Sequence, residues 1–353
     1  MNYNFPVWLI AILLVISCSR PQKPAKLERR EFRTEVMLPM TPVKDQQTDE
    51  LGWLYAMLAT IETEHIGRGD SVNLSPAYVA RMLLQEQVDR SYLSSQSILA
   101  NDDGEVYTMT LSGTLPQLVR LIQTYGLMPY DSYHSDSLLQ VAAAKLEWMI
   151  TTEASQGKSI LQVRQDAVAL LDNAINPLPR HVYMYRMEYT PLEFAHSVCM
   201  PDEYVAVTSL AHEPMYRRVP LPVLENRDNA LFLNLPLDRM MRLIERSVRG
   251  GHPVCWQGNM DEDVFSQEEG VGDVAKGKRR CTQQQRQRAF EQNRFSHDHA
   301  MAIIGIARSK DGRPFFVCKD SRGKRNPYGG LVYLSFDYVR MYTTAIMLNA
   351  IAM

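Results

Sequence analysis

The residues equipped for nucleophilic or proton-transfer chemistry are few. The five cysteines, Cys18, Cys199, Cys255, Cys281 and Cys318, include no CxxC pair and no Cys/His spacing of a metal site. Cys255 and Cys318 sit in apolar, strand-like runs, which points to buried free thiols. Two histidines open another such run, in Ser296-His297-Asp298-His299-Ala300-Met301. An imidazole at a strand end can act as a general base. Asp320 ends the strand-like run that follows, and a carboxylate can accept from an imidazole N–H and hold its tautomer. The third stretch runs from Gln46 to Ala56, with Gln46 six residues before Gly52-Trp53. Unpaired amides and the macrodipole favour a thiolate at a helix N-terminus. The helix-opening residue here is glycine. No metal and no cofactor are expected.

The elements that must position these residues divide the chain in two. From Gly52 the apolar residues Trp53, Leu54, Met57, Leu58 and Ile61 mark one helical face, ending near Gly67-Arg68-Gly69-Asp70. Ser75-Pro76 restarts a helix as N-cap and first-turn proline. Helical patterns follow over 115–125, 137–150 and 160–175, so the region from about 40 to 180 is helical. The half from about 196 to 353 reads differently. Its β-branched run at 204–207, a helix over 237–248 and a short strand at 253–256 precede strands over 300–307, 315–319 and 331–334. Asp311-Gly312 marks a hairpin, while 281–292 reads as a surface helix or loop. Helices first and an antiparallel sheet later predict an α+β fold of two lobes with a cleft between them.

In this order the motifs resemble the papain-like cysteine peptidases, and within them the bleomycin hydrolase and bacterial aminopeptidase C branch. Gln46 and Trp53 stand where that pattern has its oxyanion-donating Gln and the Trp after its nucleophile, but Gly52 holds the nucleophile's position. His299-Ala300-Met301 is similar to the triplet carrying the catalytic His, which selects His299 over His297 as the base. Lys319-Asp320-Ser321-Arg322-Gly323 corresponds to a Glu-Asn-Ser-Trp-Gly run, so the resemblance implies Asp320 as the group orienting His299. Thr124-Tyr125-Gly126-Leu127-Met128-Pro129, Thr190-Pro191-Leu192-Glu193-Phe194, Ser209-Leu210-Ala211-His212-Glu213-Pro214-Met215-Tyr216, Asn234-Leu235-Pro236-Leu237-Asp238 and Thr282-Gln283-Gln284-Gln285-Arg286-Gln287 are similar to further family segments. His212 belongs to a scaffold match rather than a catalytic one. The resemblance also implies a C-terminal arm that enters the cleft, for which little chain follows the last strand here.

The expectation is a catalytically degenerate homologue whose cleft binds peptides. Two alternatives stay open: an active cysteine-type peptidase using a displaced group, and a structural, homo-oligomeric envelope protein. Residues 5–16 form an apolar run too short to span a bilayer comfortably, ending in Val15-Ile16-Ser17-Cys18. This resembles a bacterial lipobox, with residues 1–17 as signal peptide and Cys18 as the lipidated N-terminus. Residues 18–39 then read as a tether and 40–353 as the peptidase-like domain. The lipid anchor implies the cell envelope, periplasmic or outer-membrane; a secreted protein is the alternative. A formal net charge of −2 gives no argument for nucleic acid as a partner. The basic run Lys276-Gly277-Lys278-Arg279-Arg280 follows acidic Asp261-Glu262-Asp263 and reads as a solvated loop.

Overall fold

The computed structural model describes residues 30–99, 107–136, 138–184, 186–260, 263–274, 281–293 and 299–353. The expected lipidation site Cys18, His297, Asp298 and the basic run at 276–280 lie outside the described residues.

In chain order, strand β1 (Phe32–Met37) leads to α1 (Gly52–Gly67), α2 (Pro76–Leu99), α3 (Leu115–Tyr125), α4 (Leu139–Ser155) and α5 (Ile160–Ala174). A small ribbon of β2 (Val182–Met184) and β3 (Met187–Tyr189) and the helix α6 (Pro191–Val198) close the helical half. Then come β4 (Tyr204–Thr208), β5 (Arg218–Pro220), β6 (Leu231–Asn234), α7 (Leu237–Arg249), β7 (Val254–Gly258), β8 (Phe265–Ser266) and β9 (Val271–Gly272). The chain ends through α8 (Gln283–Asn293), β10 (His299–Ser309), β11 (Pro314–Lys319), β12 (Leu331–Ser335), α9 (Phe336–Tyr342) and β13 (Thr343–Asn349).

One sheet carries the order β5-β6-β4-β13-β7-β10-β11-β12-β9-β8. It is antiparallel except where β4 meets β6 and β12 meets β9, which run parallel. The α+β architecture stands as expected. Alternation along the central strands sends residues to opposite faces. In β7, Cys255 packs with the core of α1–α6, while Val254 and Trp256 pack with α7 and α9. In β10, Ala302 and Ile304 meet Ala59 of α1, and Met301, Ile303 and Ile306 face the other way. Alanines on the α1 side let the helix lie close to the strand, which places its N-terminus beside the strand's first residue.

Two expectations about the chain's organisation are corrected. Residues 32–37, assigned to a tether, form β1, which pairs with the second half of β10 from Phe32↔Ser309 to Met37↔Gly305. A Cβ on Gly305 would lie 2.6 Å from the Val36 carbonyl oxygen, so the glycine admits this strand. Phe32 stacks on Tyr333 with ring centroids 4.0 Å apart. The second correction concerns α8, read as surface. Arg286 is fully buried and donates to the carbonyls of Ser209 (2.6 Å), Thr343 (2.6 Å) and Thr344 (3.2 Å).

The family-like segments are explained by such ties. Asn234 accepts from the Leu210 N–H and donates to the carbonyls of Leu210 and Glu213. Gln287 accepts from the Ala211 N–H and reaches His212, whose role here is structural. Thr190 and Glu193 form a capping box on α6. Gly126, at φ +86°, has no room for a side chain, because a Cβ would come within 2.3 Å of the Pro191 backbone. Leu127 N–H donates to the Pro191 carbonyl at 2.9 Å, so the two segments dock backbone to backbone.

Candidate active site

The site is built where the N-terminus of α1 meets the ends of β10 and β11. A single 3-10 turn, Asp49–Leu51, runs directly into α1. Gly52 sits at φ −52° and ψ −44°, ordinary helical values that any L-residue adopts. The glycine is therefore not required by the backbone. Its N–H is engaged with the Asp49 carbonyl. Trp53 anchors the turn by donating its indole N–H to the Leu111 carbonyl at 2.9 Å. Gly113 gives the indole its space, since a Cβ there would lie 2.7 Å from the ring.

His299 is the first residue of β10, paired with Gly258 at the end of β7 and 3% exposed. Its Nε2 lies 2.6 Å from Asp320 Oδ1. Asp320 also accepts from the Ser321 N–H at 2.8 Å and from Gln267 Nε2 at 2.9 Å. Burial alone would push the Asp320 carboxyl up, but the His299 charge and hydrogen bond, with Gln267 and Ser321, outweigh it and hold it below the ordinary carboxylate range. An ionised carboxylate only accepts, so Nε2 carries the proton and donates. In the neutral ring Nδ1 is then left with its lone pair. Nδ1 is buried and has no hydrogen-bond partner among the described residues. A Cβ built on Gly52 would lie 3.1 Å from it.

Gln46 completes the group. Its backbone N–H donates to the Ser321 carbonyl at 2.7 Å, and its Oε1 accepts from Ser321 Oγ at 2.6 Å. The residue is 2% exposed and its Nε2 has no partner among the described residues. Oε1 lies 3.3 Å from the same Cβ position on Gly52. The fold thus brings Gln46, Gly52, His299 and Asp320 together across more than 250 residues of sequence (320 minus 46). His212 lies outside this group, hydrogen-bonded to α8.

Two features of the surroundings were not read from the sequence. Glu62, fully buried on α1, accepts from Lys44 Nζ at 2.6 Å, from the Leu74 N–H at 2.7 Å and from Thr41 Oγ1. Lys319 donates to Thr41 Oγ1 at 2.6 Å, and burial brings its ammonium down to about 8 against the pull of Glu62. A charged side chain inside the otherwise apolar face of α1 was the available signal. Arg322, where the family pattern has Trp, reaches Asp49 Oδ1 at 2.8 Å across the mouth of the site. Asp49 is exposed, so this pair adds little stability.

No thiol is poised for catalysis among the described cysteines. Cys199, Cys255, Cys281 and Cys318 are free and buried. Burial pushes the Cys199 thiol up to about 12 and raises the other three. No group of three His, Cys, Asp or Glu among the described residues could hold a metal ion, and no described helix is long and apolar enough to cross a membrane. Beyond the 3-10 turn opens a cavity of about 710 Å³, lined in part by Glu50, Arg90, Tyr107, Met109, Leu224 and Arg227.

No family model and no curated protein matches the sequence. Solved structures do. PepW from Lactobacillus rhamnosis HN001 is similar over 91% of this chain and 82% of its own, at 16% identity and a TM-score of 0.67. The bromelain protease from Ananas comosus (13% identity, 87% of this chain and 92% of that one, TM-score 0.39) and xylellain, a cysteine protease from Xylella fastidiosa (12%, 90% and 86%, TM-score 0.41), also match. With the α1–β10 arrangement and the PepW likeness together, the chain has the papain-like fold of the cysteine peptidases.

Proposed function

We propose that this protein is a degenerate cysteine peptidase homologue that binds peptides in its cleft without cleaving them through an enzyme-borne thiol. In this reading Gly52 takes the nucleophile's place, His299 the base's, Asp320 the orienting group's and Gln46 the oxyanion donor's. One observation carries it: a buried His299 Nδ1 without a partner among the described residues, 3.1 Å from where a side chain on Gly52 would begin. An acyl-transfer site needs a nucleophile within hydrogen-bond reach of its base. The helical backbone of Gly52 would accept one, and the four buried cysteines have raised pKa values that argue against a displaced thiolate. The cavity beside Glu50, with its mixture of Tyr107, Met109 and Leu224 and charged arginines, offers room for peptide side chains. The N-terminal lipobox-like run supports attachment to the envelope through Cys18, with the peptides met there.

The test is turnover and binding by the purified wild-type chain. Peptide binding without hydrolysis is expected. Hydrolysis that His299→Ala abolishes would show that the chain is an active peptidase and end the reading of degeneracy.

A further inference from the structure

We infer that Glu50 makes the cleft selective for peptides that carry a lysine or arginine side chain. This rests on the reading of the cleft as peptide-binding and names the side chain it selects. The 3-10 turn before α1 carries two adjacent carboxylates, and the fold treats them differently. Asp49 is paired with Arg322. Glu50 is half-buried, lines the cavity of about 710 Å³ and has no hydrogen-bond or ion-pair partner among the described residues. Thr110 and Ser112 line the same cavity and flank Leu111, whose carbonyl holds the Trp53 indole. The cavity therefore adjoins the start of α1, with Glu50 two residues before Gly52. A carboxylate in a partly enclosed wall has lost some of its water and gained no counterion in exchange. An ammonium or guanidinium group supplies both the charge and the donors it lacks.

The rest of the wall sets the sign and the shape. Two arginines also line the cavity, and both are engaged. Arg90 donates to Asp228 at 2.9 Å. Arg227 donates to the Thr108 carbonyl at 2.7 Å and lies over the Tyr107 ring, 5.5 Å from its centroid. Asp228 also faces Arg120, whose charge is matched by both oxygens of Glu86. Three carboxylates, Glu50, Glu225 and Asp228, thus stand against the guanidinium groups of Arg90 and Arg227, an excess of one negative charge (3 minus 2). Tyr107, Met109 and Leu224 offer apolar surface for the methylene stem of a long cationic side chain. A glutamate would meet the excess negative charge, and a norleucine would leave Glu50 without a counterion.

The experiment measures binding to the full chain by anisotropy, with fluorescein-labelled pools of short peptides of mixed sequence. Each pool fixes lysine, norleucine or glutamate at one position, and the fixed position is moved along the peptide. At one position lysine is expected to bind roughly five- to ten-fold more tightly than norleucine, with glutamate weakest, as for a charge-assisted pair at a partly exposed site. Added salt should shrink the difference. In Glu50→Gln the ratio of lysine to norleucine affinity is expected to fall to about one, and in Glu50→Lys the preference should pass to glutamate. The thermal transition of each variant checks that it is folded. A wild-type chain with no lysine preference at any position would overturn the inference while leaving peptide binding intact. A lysine preference that survives Glu50→Gln would overturn the role of Glu50, and a glutamate preference in the wild type would assign the cavity to Arg227 instead. Binding of no pool would remove the peptide-binding reading itself, and this inference with it.

Discussion

His299 Nδ1 and Gly52 face each other across a gap that a single side-chain atom would close to 3.1 Å. The imidazole is oriented by Asp320 and the amide of Gln46 by Ser321, so the gap is bordered by fixed groups.

Because Gly52 is helical in φ and ψ, Gly52→Ala should be tolerated. Helix propensity favours alanine by roughly 1 kcal/mol, and the close approach to the His299 ring takes some of that back. A change in urea-unfolding stability within about 1 kcal/mol of wild type is expected. A loss of more than about 2 kcal/mol would mean that the backbone needs the glycine after all.

Asp320 titrates below its ordinary range in the folded chain, so it contributes stability that is present above pH 4 and lost as pH falls through its folded value. In Asp320→Asn that component of acid unfolding should vanish, and the urea midpoint should flatten between pH 5 and 2. At pH 7 the variant should be weaker by roughly 1–3 kcal/mol, because the new amide N–H faces the Gln267 donor. Identical acid limbs in the two proteins would show that the pair does not couple folding to pH.

Lys319 has the same sign in a higher window, although here burial disfavours the charged form. Its folded value of about 8 lies below its ordinary 10.5, so the unfolded chain holds more protons across that window and stability rises with pH by up to about 3 kcal/mol. The four buried thiols, raised from their ordinary value near 9, work against this from about pH 9, and Tyr78, pushed up to about 12 by burial, does so above pH 10. The Lys319 component is therefore read as the difference between wild type and Lys319→Met, which should grow in favour of wild type from pH 8 to 10. Parallel pH profiles of the two proteins would place the pH dependence elsewhere.

Arg286 ties the start of β13 to the chain leaving β4 through three carbonyls. Arg286→Met keeps most of the volume and removes the guanidinium from all three carbonyls; Ser209 and Thr344 keep Gln283 Nε2 and Thr208 Oγ1, while Thr343 loses both its Arg286 bonds, at an expected cost of about 2 kcal/mol or more. Thermal unfolding measures it. A variant as stable as wild type would contradict the bracing role.

The sequence and structure agree most where short-range physics decides. The α1 helix, the Ser75-Pro76 helix start and the Asp311-Gly312 turn each carry their signal within a few residues and form as read, although α1 is buried on nearly every side rather than on one face. The encounter of Gln46, Gly52, His299 and Asp320 was legible only through the spacing of family-like motifs, since no local pattern joins residues so far apart. β1 was misread because Glu31, Arg33 and Glu35 make it look solvated. Its pairing depends on Gly305, nearly 270 residues later (305 minus 36), which leaves no trace beside the strand. The buried charges of Lys319, Glu62 and Arg286 resisted reading for a related reason: their partners are mostly backbone groups or distant side chains.

The central claim, that the site lacks only its sulfur, is tested most directly by Gly52→Cys. The new thiol would lie beside His299 Nδ1 at the N-terminus of α1, where a thiolate is stabilised. Peptidase turnover on the order of 10³-fold or more above the wild-type chain is expected, with alkylation by iodoacetamide at pH 6 that His299→Ala slows. A folded Gly52→Cys protein whose thiol reacts no faster than free cysteine, and which cleaves no peptide, would contradict it.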